Sequence, residues 1–170
     1  SDCLSVRGIA RDLFAAGIGK LKKLDLKKIE GSFDSKIKWQ RKFNKNDEKL
    51  CPCVSGRLFK NIKNTESPDW LKKKLLAIGL RPISALVDIT NFITFDLGRP
   101  LHVYDADKLK GNLSMRLARD GEMCKTLDEK EYKLSSNMVV IADDDKLHGI
   151  GVVMGGLDSS CSINTTNVFL

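Results

Sequence analysis

Hydrophobic residues recur along this chain at two different periods, and the places where the period changes divide it into candidate elements. From Ser5 to Ala16 the apolar positions are Val6, Ile9, Ala10, Leu13 and Phe14, one face of a helix, with Ser5 placed to cap its start and Gly17 to end it. The pattern then lapses. Seven charged residues fall between Lys20 and Glu30 among sparse leucines, so residues 18–31 read as a connector closed by Gly31 and Ser32. From Phe33 the period is two: Ile37 and Trp39 alternate with Lys36, Lys38 and Gln40, which predicts a half-buried strand, and a second strand is expected over Val54 to Ile62. Ser67-Pro68-Asp69-Trp70 carries a helix start, with serine as N-cap, proline at the first helical position and an acidic residue in the first turn. Leu71, Leu75, Leu76 and Ile78 supply its buried stripe and Gly79 its end.

The stretch from Arg81 to Asp105 organises the rest. Asp88 is placed as an N-cap, Ile89, Phe92, Ile93 and Leu97 form a helical stripe, and Gly98 followed by Pro100 is a stop. Val87, Ile89, Ile93, Phe95 and Leu97 also fit a strand, so the pattern alone leaves both open. The capping chemistry at both ends favours the helix. Pro100 fixes its own φ and biases Arg99 toward an extended conformation, so the backbone around His102 should be stiff. Beyond it strands predominate: Leu113, Met115 and Leu117 alternate with polar residues, Leu127 and Tyr132 to Leu134 flank an Asp128-Glu129-Lys130 turn, and Met138 to Ala142 is an apolar run of strand length. Gly149, Gly151, Gly155 and Gly156 then crowd one strand, where glycine marks a bulge or a close backbone approach by a ligand. Thr165 to Leu170 reads as a last strand.

Composition narrows the class. At 170 residues, with 42% hydrophobic and 30% charged side chains and 4 prolines, the chain is globular and can bury a core. No apolar run reaches the roughly 20 residues a membrane helix needs, so no membrane partner is expected, and the first residues do not form a signal peptide. A soluble, cytoplasmic protein is expected. The chain opens on Ser1-Asp2-Cys3-Leu4 without an initiator Met, which suggests a piece of something larger. Residues 1–60 hold 15 Lys and Arg against 7 Asp and Glu, and the remainder 14 against 15, so the net charge of +7 lies in the first third. Clustered lysines suit a nucleic-acid contact, although no aromatic residues interleave with them to form a stacking platform. Five cysteines at 3, 51, 53, 124 and 161 imply no disulfide framework. Cys51 and Cys53 lack the second ligand pair that structural zinc requires, so no metal is expected.

Few motifs carry chemistry. There is no G-x-S-x-G elbow, no Walker loop and no G-x-G-x-x-G, and only two histidines, His102 and His148. What remains is His102, the Thr90-Asn91 pair upstream and the glycine-lined strand.

The ordered motifs resemble the B3/B4 region of the bacterial phenylalanyl-tRNA synthetase β subunit over almost the entire chain. Asp2 to Arg11 resembles the segment leading into that region. Cys51-Pro52, Ser55-Gly56-Arg57 and Ser67 to Leu71 fall at the family's places; Gly79 to Ile83, Val87-Asp-Ile-Thr-Asn91, Leu97-Gly98, Pro100-Leu-His102 and Asp105 form the most specific block. Gly121-Glu122, Thr126-Leu127-Asp128, Val140 to Asp143 and Met154-Gly-Gly156 complete it, and only residues 18–48 match poorly. The resemblance implies an α+β fold, a mixed sheet or sandwich core with flanking helices. It divides the chain into a lead-in helix from a preceding domain (1–17), a linker (18–31) and a C-terminally truncated B3/B4-like editing domain (32–170).

In that family the region hydrolyses tyrosine wrongly esterified to the tRNA for phenylalanine. The chemical need is plain, because an apolar synthetic pocket barely rejects an isostere that only adds a hydroxyl, whereas a second site can select for that hydroxyl with polar partners. Carried over by residue, Thr90 would offer a hydroxyl, Pro100 a rigid wall, and His102 a hydrogen bond to the terminal adenosine or to the attacking water. Without a carboxylate beside it, general-base catalysis and water positioning by His102 are indistinguishable from sequence. Gly151 and Val152 fall where the family commonly has alanine and glycine, so Val152 adds volume where the amino acid should lie. The glutamate that recognises the tyrosine hydroxyl would follow Leu170.

The resemblance further implies an α-subunit partner in a heterotetramer of two α and two β chains, the phenylalanine tRNA as ligand, and ATP and magnesium for the parent ligase with no cofactor in this stretch. Lys20, Lys22, Lys23, Lys27 and Lys28 are expected to touch tRNA weakly. The competing expectations are a non-catalytic module that supports tRNA docking and an independent nucleic-acid-binding domain resting on the basic first third.

Overall fold

In a computed structural model, which describes residues 4–151 and 153–170, the fold is α+β: three α-helices and three β-sheets, one mixed and two antiparallel. The chain forms two compact units, one from Ser1–Asp34 with Thr65–Leu101 and the other from Ser35–Asn64 with His102–Leu170.

The first unit holds the helices α1 (Val6–Ala15), α2 (Asp69–Ala77) and α3 (Ala85–Leu97). Ser5 caps α1 as its sequence predicts, its hydroxyl accepting from the Gly8 amide at 2.9 Å. The apolar face that should be buried is open, however: Val6 is 61% and Phe14 52% exposed, and within the helix only Gly8 is buried. Residues 20–31 have no regular secondary structure, as their charge density and scarce leucines suggest.

At the start of α2 the serine has a different task from the one its position predicts. Pro68 is the N-cap, and the Ser67 hydroxyl donates to the Asp88 carboxylate at 2.5 Å. Leu71 and Leu75 are buried, whereas Leu76 and Ile78 face out. Gly79, at φ +81°, closes a Schellman end in which its amide bonds Leu76 O and the Leu80 amide bonds Leu75 O.

The helical alternative is the correct one for α3, but it starts before Asp88. Ser84 is the N-cap and Asp88 lies in the first turn, fully buried, accepting from Ser67 and from the Ile83 amide at 2.9 Å. Its stripe is rotated from the predicted one, since Ile89 is half-exposed while Asp88 and Thr90 are buried. Gly98, at φ +71°, ends the helix as expected.

The second unit is mostly β. Its five-stranded sheet runs β1 (Trp39–Lys42), β4 (Leu113–Leu117), β7 (Val139–Ala142), β8 (Leu147–Ile150), β9 (Met154–Gly155), with β1 parallel to β4 and the other pairs antiparallel. A three-stranded sheet places β10 (Val168–Phe169) between β2 (Leu58–Phe59) and β3 (Tyr104–Asp105), and β5 (Met123–Lys125) pairs with β6 (Glu131–Lys133). The strand expected over Val54 to Ile62 is therefore only two residues long. Leu58, Tyr104 and Phe169 of the three-stranded sheet pack with Leu113 of β4, so one core is shared by both sheets. Ala118, Cys124, Leu134 and Val140 form a second core beside β8.

Asp88→Ala should leave the Ile83 amide and the Ser67 hydroxyl without their acceptor, at about 1–3 kcal/mol for each buried group stranded. The thermal midpoint measured by circular dichroism should fall by several degrees. An unchanged midpoint would show that the buried carboxylate is not a structural tie.

Candidate functional site

His102 begins the second unit directly after Pro100 and Leu101. Two residues on, Tyr104 is almost fully buried, and the two rings meet edge to face at 4.5 Å between centroids. The same tyrosine meets Trp39 at 6.3 Å and His148 at 6.4 Å, so it is packed against aromatic rings on several sides. Nε2 of His102 is buried and has no hydrogen-bond partner among the described residues. Burial, with His148 nearby, pulls the His102 pKa down to about 4, so the ring is neutral near pH 7.

Behind Tyr104 lies a second histidine that sequence reasoning did not single out. His148, on β8, has no exposed surface, and its Nε2 stands 2.7 Å from Oδ2 of Asp143, close but poorly aligned for a hydrogen bond. Asp143 is held by the chain around it. Its carboxylate accepts from the amides of Lys110 at 2.7 Å, Asp145 at 2.8 Å and Lys146 at 2.9 Å. Burial alone would raise its pKa, but the amides of Lys110 and Lys146, the His148 imidazole and the Asp145 amide together hold it down to about 2.

The glycine strand is a hairpin. Gly149 pairs with Gly155 across β8 and β9, and a Cβ at Gly155 would intrude on the His102 ring. Gly151 donates its amide to Val139 O at 2.8 Å, and a Cβ there would come within 2.9 Å of Val139 Cγ1. Its lack of a side chain thus serves close packing on β7. Val152 lies outside the described residues, as do Asp2 and Cys3.

Thr90 and Pro100 belong to the first unit. The Thr90 hydroxyl is buried and donates to Val87 O at 2.7 Å, which leaves its lone pairs as acceptors, and Pro100 is exposed. All five connector lysines are exposed, and Lys28 pairs with Glu30 at 2.7 Å. Lys20 and Lys22 line a cleft of about 390 Å³ beside Val6, Ala10 and Leu13 of α1. Among the described residues no group of three or more His, Cys, Asp or Glu is placed to hold a metal ion. Cys51 is buried with its sulfur 3.2 Å from that of Met115, while Cys53 is exposed.

The aligned signal that would have disclosed Tyr104 is its i, i+2 spacing from His102. The crowded glycines mark their strand as a candidate part of the site, but nothing local points to Asp143 or selects Gly155 as the one that meets His102, because only the pairing of β7, β8 and β9 brings them there.

Asp143 yields a pH dependence with a definite sign. Its folded pKa is depressed below the ordinary 3.8, so its stabilisation is fully present above about pH 4 and is lost as pH falls through about 2. Asp143→Asn should therefore flatten the acid limb of an unfolding series between pH 5 and 2, by an amount on the order of 2 kcal/mol at pH 7. Superimposable acid limbs for the two proteins would exclude this role.

The model of the B3/4 domain matches residues 50–170. The chain is 53% identical over 99% of its length to the phenylalanine–tRNA ligase β subunit of Paramagnetospirillum magneticum and 51% identical over 99% to that of Rhodopseudomonas palustris. It spans about a fifth of those relatives, 21% and 20% of their lengths. Among solved structures, an N-terminal fragment of the phenylalanyl-tRNA synthetase β subunit from Pyrococcus horikoshii matches 99% of this chain and 50% of its own length, with a TM-score of 0.54 and 17% identity, a likeness of fold. Since the matched segment takes in β2 to β10 with His102, Tyr104, Asp143, His148 and Gly155, this chain belongs to the B3/4 domain family.

Proposed function

We propose that this chain is the editing module of a phenylalanine–tRNA ligase β subunit, hydrolysing the ester that joins tyrosine wrongly to the phenylalanine tRNA. The observation that carries the reading is His102: a neutral imidazole whose Nε2 is buried and without a partner among the described residues, packed against the glycine hairpin. Water adds to the ester carbonyl carbon, the bond to the ribose oxygen breaks, and that oxygen leaves with a proton, giving free tyrosine and tRNA. A base whose pKa is about 4 takes protons poorly at pH 7, so this chemistry favours His102 as a hydrogen-bonding group that positions the water or the terminal adenosine. Thr90, Pro100, Gly151 and Val152 are substrate-binding positions in this reading, on the strength of the family resemblance.

The α subunit and tRNA would be partners of the longer protein, in the cytoplasm, and ATP and magnesium would serve its ligase reaction. The exposed Lys20, Lys22, Lys23, Lys27 and Lys28 would meet the tRNA backbone. A second reading, a non-catalytic module that packs in the subunit and supports tRNA docking, draws on the uncovered apolar face of α1.

The test is deacylation of tyrosyl-tRNA by the assembled synthetase carrying this chain. Release of tyrosine but not phenylalanine is expected; His102→Ala should slow it by roughly 10- to 100-fold, the loss of one or two hydrogen bonds in the transition state. Val152→Gly should speed it by a similar factor if the valine crowds the substrate, since overpacking costs about 1–3 kcal/mol. A wild-type enzyme that leaves tyrosyl-tRNA intact would select the docking reading.

For tRNA binding, neutralising the five lysines should weaken affinity at low salt and flatten its dependence on salt, because fewer counterions are released. An unaltered salt dependence would place the contact elsewhere.

A further inference from the structure

Gly155 is not a glycine for the sake of its backbone. Its φ lies outside the left-handed range, it pairs with Gly149 across the hairpin, and its carbonyl accepts from the Leu127 amide at 3.0 Å, so any residue could take up its conformation. What excludes a side chain is His102. A Cβ built at Gly155 would stand 2.6 Å from Nε2 and 3.1 Å from Nδ1 of that ring, with Cε1 nearer still, and its three nearest neighbours are all atoms of this one imidazole. The contrast with the next residue is informative. A Cβ at Gly156 would meet the backbone of His148, so alanine there would strike the sheet itself.

The ring has little room to yield toward the core. Tyr104 bounds it at 4.5 Å and is itself 1% exposed, packed among Leu58, Leu113 and Phe169. Tyr104 also meets His148, and His148 is set against a carboxylate bound by three amides. We infer that Gly155 and Tyr104 are positioning residues for His102, the glycine by leaving space for the ring and the tyrosine, backed by His148 and Asp143, by fixing where it rests. The inference rests on the editing reading for its consequence in catalysis, but the contact itself does not.

Gly155→Ala tests it in the assembled synthetase, because alanine suits the backbone and the three atoms nearest its Cβ all belong to His102. Diethyl pyrocarbonate acylates accessible imidazole nitrogens, and peptide mapping by mass spectrometry reports His102 and His148 separately. The expected result is several-fold faster labelling of His102 with His148 still protected, as the displaced ring moves outward. Unchanged labelling of His102 would overturn the inference. If both histidines label faster, the double variant His102→Ala with Gly155→Ala decides: renewed protection of His148 shows that the damage came from collision with the ring, and continued labelling shows that it did not and overturns the inference. In tyrosyl-tRNA hydrolysis the single variant should lower kcat by up to roughly 100-fold, the effect of a misplacement of about 1 Å, with KM little changed. A displaced ring with hydrolysis unaltered would overturn the positioning role. A wild-type enzyme without hydrolysis would sink the editing reading instead and leave the ring contact to be judged by labelling.

Discussion

The carboxylate of Asp143 sets the geometry on which the histidine neighbourhood depends. An ionised carboxylate out of water costs several kcal/mol unless its lone pairs are met, and here three amides meet them, with the His148 imidazole in close contact. Two of those amides belong to the turn between β7 and β8, which Asp143 also closes by donating its own amide to Lys146 O at 3.0 Å. The third, from Lys110, ties in the segment that leads to β4. With that turn fixed, the register of β8 follows, Gly149 comes opposite Gly155, and the hairpin lies where it can meet His102. A loop residue far from the imidazole in sequence therefore decides what the imidazole touches.

The helical unit uses the same device with different partners. Asp88 is buried at the start of α3 and accepts from one amide and one hydroxyl, joining the approaches to α2 and α3. Each unit thus relies on a side-chain acceptor where regular secondary structure leaves backbone donors without partners. The difference lies in what the tie supports. In the sheet unit it stands behind aromatic rings and a histidine; in the helical unit it fixes two helix starts.

Sequence disclosed local chemistry well and distant competition poorly. Ser5, Gly79 and Gly98 behave as their cap signals predict because nothing remote competes for them. Ser67 has the sequence of an N-cap, yet its hydroxyl goes to Asp88, 21 residues away, an acceptor no local pattern reveals. The stripe assigned to α3 failed for a related reason: burial of Asp88 and Thr90 turns the helix so that polar side chains face inward. The strand Tyr104–Asp105 has no period to read at two residues, and it exists only by pairing with Val168 and Phe169. For the site, His102 stands out by its stiff setting after Pro100 and Gly155 by the crowding of glycines, whereas the contact between the two and the place of Asp143 behind His148 follow only from sheet register.

The chain has two histidines, and the fold sends them to different electrostatic surroundings. His148 lies against an ionised carboxylate; His102 has an aromatic edge and a glycine, with the other imidazole nearby. Burial away from water disfavours the charged form of the His102 ring. A ring kept neutral retains one nitrogen able to accept a hydrogen bond and another able to donate one, a capacity that protonation would abolish. Under the editing proposal, in which the site would hold a water or a ribose hydroxyl against an ester, the apolar packing around His102 would serve that function directly. The same packing fixes the ring in place and keeps it uncharged, so the residues that orient His102 are also those that set its chemistry.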